Sequence, residues 1–313
     1  MQKKEERKTV TGGEIIRATW KIISIGISII LLLIFSMIIY SFISSFAPTI
    51  GRGNVAVIQI SGMIRTDDST FTPGVKSAEI VKLIEQADKN KDIKAILLEI
   101  NSPGGTPVAT DEITTAIKEV NKTKIAVIRE TGASGAYWIA TAADRIFANR
   151  MSSTGSIGVQ ASKLEIPGLL ADYNVTYRKL TAGKLKDAGS IYREMTPEEK
   201  ILFQEMLDKL HTEFINEVAR NRHLSEEYVR TIATGFVYLG SEAKEMGLVD
   251  ELGNKKDALK YIEKTLNITA KPVDYKQPTS FLSSISLMAS ESFYSIGQGL
   301  GSTFKTETEV SFT

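Results

Sequence analysis

The feature that most constrains this chain is a run without charge from Ile22 to about Phe46. It is long enough to cross the roughly 30 Å hydrocarbon core as one helix. A secretory leader would have a shorter apolar core of about 7–15 residues and a small-residue cleavage site. Ser45-Phe-Ala47 before Pro48 is a weak form of such a site, and the length of the run favours an uncleaved anchor. Lys3, Lys4, Arg7, Lys8, Arg17 and Lys21 precede the run, and only Arg52 follows it closely. The positive-inside rule then leaves residues 1–21 in the cytoplasm and sends everything after the span outside. The expected organisation is a polar segment 1–21, an anchor 22–46, a linker 47–53, a domain 54–277 and a flexible or weakly amphipathic tail 278–313.

Beyond the linker the pattern alternates. Val55–Ile60, Ala95–Ile100 and Ile125–Ile128 are buried-strand runs, and Arg145–Ala148 is a shorter one. Between them, 77–90 and 108–121 carry apolar residues at helical spacing with charged backs. Strands separated by amphipathic helices imply an α/β domain on a largely parallel sheet, with sites at the carboxyl ends of its strands. Farther on, Thr196-Pro197-Glu-Glu opens a long helix to about Asn221, Ser225 caps another, Ser241 starts a short one, and 255–266 is a last core helix. Ser153–Gly158 and Gly183–Gly189 read as small-residue loops.

Composition narrows the chemistry. The formal charge of +1 over 313 residues gives no reason to expect nucleic acid. There are no cysteines, which rules out disulfides, thiolate catalysis and Cys-ligated zinc. With only His211 and His223 present, a three-His metal site is excluded, and no cofactor or metal is expected.

The chemistry-bearing stretch is Glu130-Thr-Gly-Ala-Ser-Gly-Ala-Tyr-Trp-Ile-Ala140, between a buried strand and a buried helix. Ser134 sits at the corner, among residues small enough for a sharp turn. Free N–H groups at the helix start favour developing negative charge there. That suits an acyl-transfer nucleophile; the alternative is an ordinary serine N-cap. A serine needs a base. His211 lies inside the long helix and His223 at its end, positions of surface or helix-terminal residues. Lysine is the remaining base, provided burial or nearby positive charge favours its neutral form. Lys184 and Lys186 lie in a glycine-bounded loop, Lys179 is a third choice, and composition does not decide among them.

Five motifs occur in order: Pro103-Gly-Gly-Thr-Pro107; Ala133-Ser-Gly-Ala-Tyr137 with Thr141-Ala-Ala-Asp144; Thr154-Gly-Ser-Ile-Gly158; Gly183-Lys-Leu-Lys-Asp187 with Arg193-Glu-Met-Thr196; and Gly235 through Asp250-Glu-Leu-Gly253. Over residues 54–265 the chain resembles the signal peptide peptidase A family of membrane-anchored Ser-Lys peptidases. The resemblance implies a ClpP/crotonase-like α/β fold of repeated ββα-type units behind one transmembrane helix. It implies Ser134 as nucleophile, Lys186 as general base, Ser156 as the residue that orients the lysine, and Gly105 as an oxyanion-hole donor. The N–H of Gly135 is the expected second donor. It also implies remnant signal peptides and other apolar peptides as substrates, contact with membrane lipid, and a homo-oligomeric ring. Ala136 stands where the family commonly has glycine, Thr106 follows the double glycine, and Trp138 replaces a usual tyrosine. Two rivals share the fold: an acyl-CoA enzyme of crotonase type, and a non-catalytic oligomeric membrane scaffold.

Overall fold

The computed structural model describes residues 12–46, 53–67 and 74–276. The first part of the polar segment, nearly all of the linker and the tail 278–313 lie outside them. The chain divides into two compact units. The first holds helix α1 (Gly12–Phe46), which begins well ahead of the uncharged run. Its stretch Trp20–Tyr40 has 21 residues and a mean hydropathy of 3.0. At 1.5 Å per residue that is about 30 Å, long and apolar enough to cross a membrane. Apart from Gly26, every residue from Trp20 to Tyr40 is exposed.

The second unit, Ile50–Gln277, is a mixed α/β domain. Its elements run β1 (Val55–Ser61), β2 (Met63–Arg65), β3 (Gly74–Lys76), α2 (Ser77–Lys89), β4 (Ala95–Ser102), α3 (Pro107–Glu119), β5 (Thr123–Ala133), α4 (Gly135–Thr141), β6 (Arg145–Ala148) and β7 (Ser153–Gly155). There follow α5 (Pro167–Asp172), α6 (Pro197–Arg222), α7 (Glu226–Ile232), β8 (Val237–Leu239), α8 (Gly240–Glu245), β9 (Glu251–Leu252), α9 (Lys255–Leu266) and β10 (Pro272–Tyr275). The main sheet runs β10-β1-β4-β5-β6-β9 with every neighbour parallel. β7 pairs with the end of β5, and β8 runs antiparallel to β7.

Both faces of the sheet are covered, which is why its central strands read as unbroken apolar runs. Ala56, Ile58 and Ile60 of β1 face the larger core, with α2, α3, α4 and α6. Val55 and Val57, on the opposite side, meet Ala258 and Ile262 of α9. The starts of α6 and α7 obey the expected chemistry, with Thr196 and Ser225 as caps, whereas α8 starts at Gly240, one residue before Ser241. Thr196 accepts a bond from the Glu199 N–H, Glu199 accepts one from the Thr196 N–H, and Pro197 is the first helical residue of α6. His223 closes α6 in the left-handed region, at φ 56°.

One local reading changes, and one strand is new. Residues 153–155 of the expected turn form a strand, because β5 outruns β6 and leaves an edge to be paired. The strand β10 closes the sheet against β1, a pairing between residues about as far apart in sequence as the domain allows.

The bend that aims Ser134 lies in β5. Ile100 of β4 pairs with Ile128, yet Ser102 pairs with Gly132, so β5 carries extra residues at 129–131. Such a bulge bends a strand and re-aims the residues beyond it. Its loosened backbone groups are satisfied by side chains. Asn101 Oδ1 accepts from the Thr131 N–H at 3.2 Å, the buried Ser152 hydroxyl donates to the Arg129 carbonyl, and Thr154 Oγ1 donates to the Gly132 carbonyl at 2.7 Å. Past the bulge β5 leaves β6 and pairs with β7.

Candidate active site

Ser134 is the residue on which that bend ends. Its backbone sits at φ 52°, ψ −129°, a region that L-residues with side chains rarely occupy. The surroundings enforce it. Its N–H donates to the Gly155 carbonyl at 2.8 Å, and its own carbonyl accepts from the Trp138 N–H at 3.0 Å. Strain of this kind costs on the order of 1–3 kcal/mol and persists only where the rest of the fold over-determines it. A sharp strand-to-helix turn of this kind exposes the nucleophilic serine of α/β-hydrolases. Ser134 is half-buried, on the wall of a cleft of about 840 Å³.

Three glycines make the cleft possible by letting neighbouring backbone and, at Gly135, a side chain approach closely. Gly104 has φ +107°, and a Cβ there would lie 2.8 Å from the Gly135 nitrogen and 2.9 Å from Ser134 Cβ. At Gly105 a Cβ would fall 1.9 Å from the Ile64 carbonyl oxygen; at Gly135, 2.3 Å from Thr110 Oγ1. β2 fixes this turn through a bridge in which the Ile64 N–H donates to Gly104 and the Ile64 carbonyl accepts from Thr106. That bridge leaves the N–H of Gly105 itself unused. Gly135 is the first residue of α4, so its N–H has no carbonyl one turn back. Both N–H groups belong to residues lining the cleft beside Ser134, as an oxyanion hole requires.

Ser156 also lines the cleft. Its backbone is left-handed at φ 51°, and its hydroxyl donates to the Gly235 carbonyl at 2.9 Å. With its hydrogen committed, its lone pairs are left to accept from a cation. The apolar wall holds Trp138 and Phe214, stacked at 4.9 Å, with Leu210 and Met63.

His211 departs from expectation. It is half-buried in the cleft wall, not on the surface. Its Nε2 lies 3.2 Å from the Ile157 carbonyl, which only accepts, so Nε2 carries the proton and donates. It pins the turn beside Ser156.

Lys186 does not line the cleft. It is exposed on the turn 183–189, and its N–H donates to Gly183, itself at φ +101°. The other two lysines of this region are ion-paired, Lys179 to Asp187 at 3.1 Å and Lys184 to Glu198 at 2.7 Å. Lys186 has no acidic partner among the described residues. Beside it, Arg193 grips Asp187 and Glu199. The Arg193 guanidinium, then the Tyr177 hydroxyl and Lys179, hold the Asp187 carboxyl down to about 2. Arg193, then the Thr196 N–H, do the same for Glu199, also to about 2. Arg193 appears in the sequence only as part of a motif; nothing in its local pattern marked this role.

The chain matches the model of Peptidase family S49 over residues 116–269 and that of Clp protease over 63–166. A provisionally named protease of Methanocaldococcus jannaschii is 38% identical over 205 residues, 64% of this chain and 66% of that protein. A provisionally named signal peptide peptidase of Enterococcus faecium is 36% identical over 201 residues, 63% of this chain and 58% of that protein. A provisionally named protease of Synechocystis is 35% identical over 210 residues, 66% of this chain and 72% of that protein. The chain belongs to peptidase family S49. The matched stretch spans less than two thirds of the first two relatives. Within the S49 family match lie Ser134, Gly135, Ser156 and Lys186, whereas Gly105 falls in the Clp protease match. Most of the α/β domain thus falls within the match to this peptidase family, and the chain also carries a helix long and apolar enough to cross a membrane.

Proposed function

We propose that this peptidase is a membrane-anchored serine endopeptidase with a Ser134–Lys186 dyad. Its domain would stand at the outer face of the cytoplasmic membrane and cleave remnant signal peptides and other apolar peptides. The observation that carries the reading is the turn at Ser134: a strained, half-buried serine beside two uncommitted glycine N–H groups. The apolar wall of Trp138, Phe214, Leu210 and Met63 supports apolar substrates, and α1 supports the anchor.

In this mechanism Lys186 Nζ takes the proton of Ser134 Oγ as the oxygen attacks a peptide carbonyl. The N–H groups of Gly105 and Gly135 hold the oxyanion. The ammonium then protonates the leaving amine, and a water molecule, activated by the same lysine, releases the acyl group. Ser156 accepts a hydrogen bond from the lysine and orients it. Lys186 is favoured over Lys184 and Lys179 because an acidic partner would stabilise the ammonium.

Lys186 is exposed and absent from the cleft of its own chain. The same segment exposes Leu164, Leu169, Tyr173, Val175 and Leu180. A homo-oligomer in which one copy's 183–189 loop enters another's Ser134 cleft accounts for both features, and it would supply the dry surroundings a neutral lysine needs.

The test is hydrolysis of an apolar chromogenic peptide by the full chain, by Ser134→Ala and by Lys186→Ala. Both variants are expected to be inactive alone, and mixed oligomers of the two to regain activity. Activity surviving in Ser134→Ala removes the reading. Two inactive variants that do not complement each other keep the dyad but place both residues in one copy.

A further inference from the structure

Arg193 uses its whole hydrogen-bonding capacity on one task. Nε donates to Asp187 Oδ2 at 2.6 Å, and Nη2 donates to the Asp187 carbonyl at 2.8 Å and to Glu199 Oε1 at 2.5 Å. Nη1 donates to Glu199 Oε2 and to the Glu194 carbonyl, both at 2.9 Å. A guanidinium has five N–H bonds, and all five are matched. The side chains are enclosed although the loop is not: Asp187 is 9% exposed, Glu199 4% and Arg193 23%. Glu199 is at the same time the third residue of α6 and half of its capping box. One path of charge-assisted bonds therefore runs from the start of α6 through Arg193 to both the side chain and the main chain of Asp187, the residue after Lys186.

We propose that Arg193 is a positioning residue for the lysine base: it fixes the turn that presents Lys186 and neutralises the carboxylate next to it in the chain. The inference rests on the Ser-Lys reading above. An aspartate directly after a lysine base is a hazard, because a free carboxylate stabilises the ammonium and keeps the base protonated. Here that carboxylate is occupied on both oxygens. Oδ1 accepts from the Tyr177 hydroxyl at 2.9 Å, and Oδ2 faces Arg193 and Lys179. The two carboxylates, Asp187 and Glu199, are balanced by two cations, Arg193 and Lys179. Two further pairs lie in the same region: Lys184 with Glu198, and Lys163 with Glu165, whose Oε1 also accepts from the Met195 N–H. Removing Arg193 alone leaves one uncompensated negative charge beside Lys186. Lysine in its place has three donors and no planar fork, so it cannot hold both carboxylates and the Asp187 carbonyl together.

The experiment is the pH profile of kcat/KM for the full chain in detergent micelles, with an apolar chromogenic peptide. Arg193→Met is expected to lower kcat/KM by about 10–100-fold and to move the acidic limb up by about half a pH unit to one unit. Asp187→Asn, which keeps Arg193 and removes the negative charge, is expected to move the same limb down. The double variant Arg193→Met/Asp187→Asn brings the limb back towards wild type without restoring the full rate. Two single variants that slow the enzyme and leave the limb in place, or move it in the same direction, overturn the proposal, since a purely structural role gives no opposite shifts. Should Arg193→Met not fold, the downward shift in Asp187→Asn decides alone. Lys186→Ala is run beside them. Activity kept there removes the Ser-Lys reading and this inference with it, whereas an inactive Lys186→Ala with an unmoved limb in the other variants removes this inference only.

Discussion

The turn at Ser134 and the turn at Lys186 are built from opposite materials. The first is a backbone device. It has a bulge, three glycines in close approach, and mostly carbonyl, amide and hydroxyl partners; its one ion pair, Arg129 with Glu99, lies at the start of the bulge, away from Ser134. The second is a charge device: an exposed loop whose shape depends on Arg193, Asp187, Lys179 and Glu199. A nucleophile and an oxyanion hole must be placed to within a fraction of an ångström, which rigid backbone provides. A base must be both placed and electrostatically conditioned, which only charges provide. The contrast predicts that the two halves fail under different insults.

The largest effect is expected at the backbone half. Ser134→Gly should lower turnover by on the order of 10⁴-fold or more. It should also raise stability by about 1 kcal/mol, because glycine accepts φ 52°, ψ −129° without strain. Peptide hydrolysis and thermal melts measure both, and a fall in melting temperature would show that the turn is not strained. Next comes Gly105→Ala. Its Cβ would lie 1.9 Å from the Ile64 oxygen, so β2 must shift and carry the Gly105 N–H off its aim. A loss of about 10²–10³-fold in kcat with KM little changed is expected.

Acid should separate the halves. Asp187 and Glu199 are held to about 2, so each stabilises the folded loop at pH values above its unfolded range near 4. That contribution is lost as pH falls from about 4 towards 2, while the bonds that hold Ser134 itself are backbone to backbone and do not titrate. Hydrogen exchange along a pH titration should show 183–193 opening before 131–136. Simultaneous opening would merge the two devices into one. The smallest effect belongs to His211→Gln. It removes or weakens one bond to the Ile157 carbonyl, worth about 0.5–1.5 kcal/mol, and should leave activity within about tenfold. A loss as deep as that of Ser134→Ala would make the histidine a participant in the chemistry.

What the sequence made legible divides along the same line. β1, α2, β4, α3 and α9 fall where apolar runs and helical spacing put them, because those signals are local. The corner at Ser134 was visible for the same reason, being a strand, small residues and a helix in succession. The bulge was not, since it exists only in the register of β4 against β5. Nor was β10, whose four residues become a strand only beside β1. His211 gave no sign of facing the cleft, because the pattern of α6 does not reveal what lies opposite each of its faces. The choice among Lys179, Lys184 and Lys186 was beyond composition; the ion pairs of Lys179 and Lys184 are with acids that no local pattern reveals, and they are what favours Lys186 in the proposed reading.

The pairing of β1 with β10 has a consequence in time. A chain emerges from the ribosome at about 5–20 residues per second, so strand 272–275 trails strand 55–58 by roughly ten to forty seconds. Throughout that interval one side of the largely apolar strand β1 has no neighbour, and such an edge recruits other strands readily. The nascent domain thus passes through its most vulnerable state during its own synthesis, and helpers that shield apolar edges would matter most just before residue 272 appears.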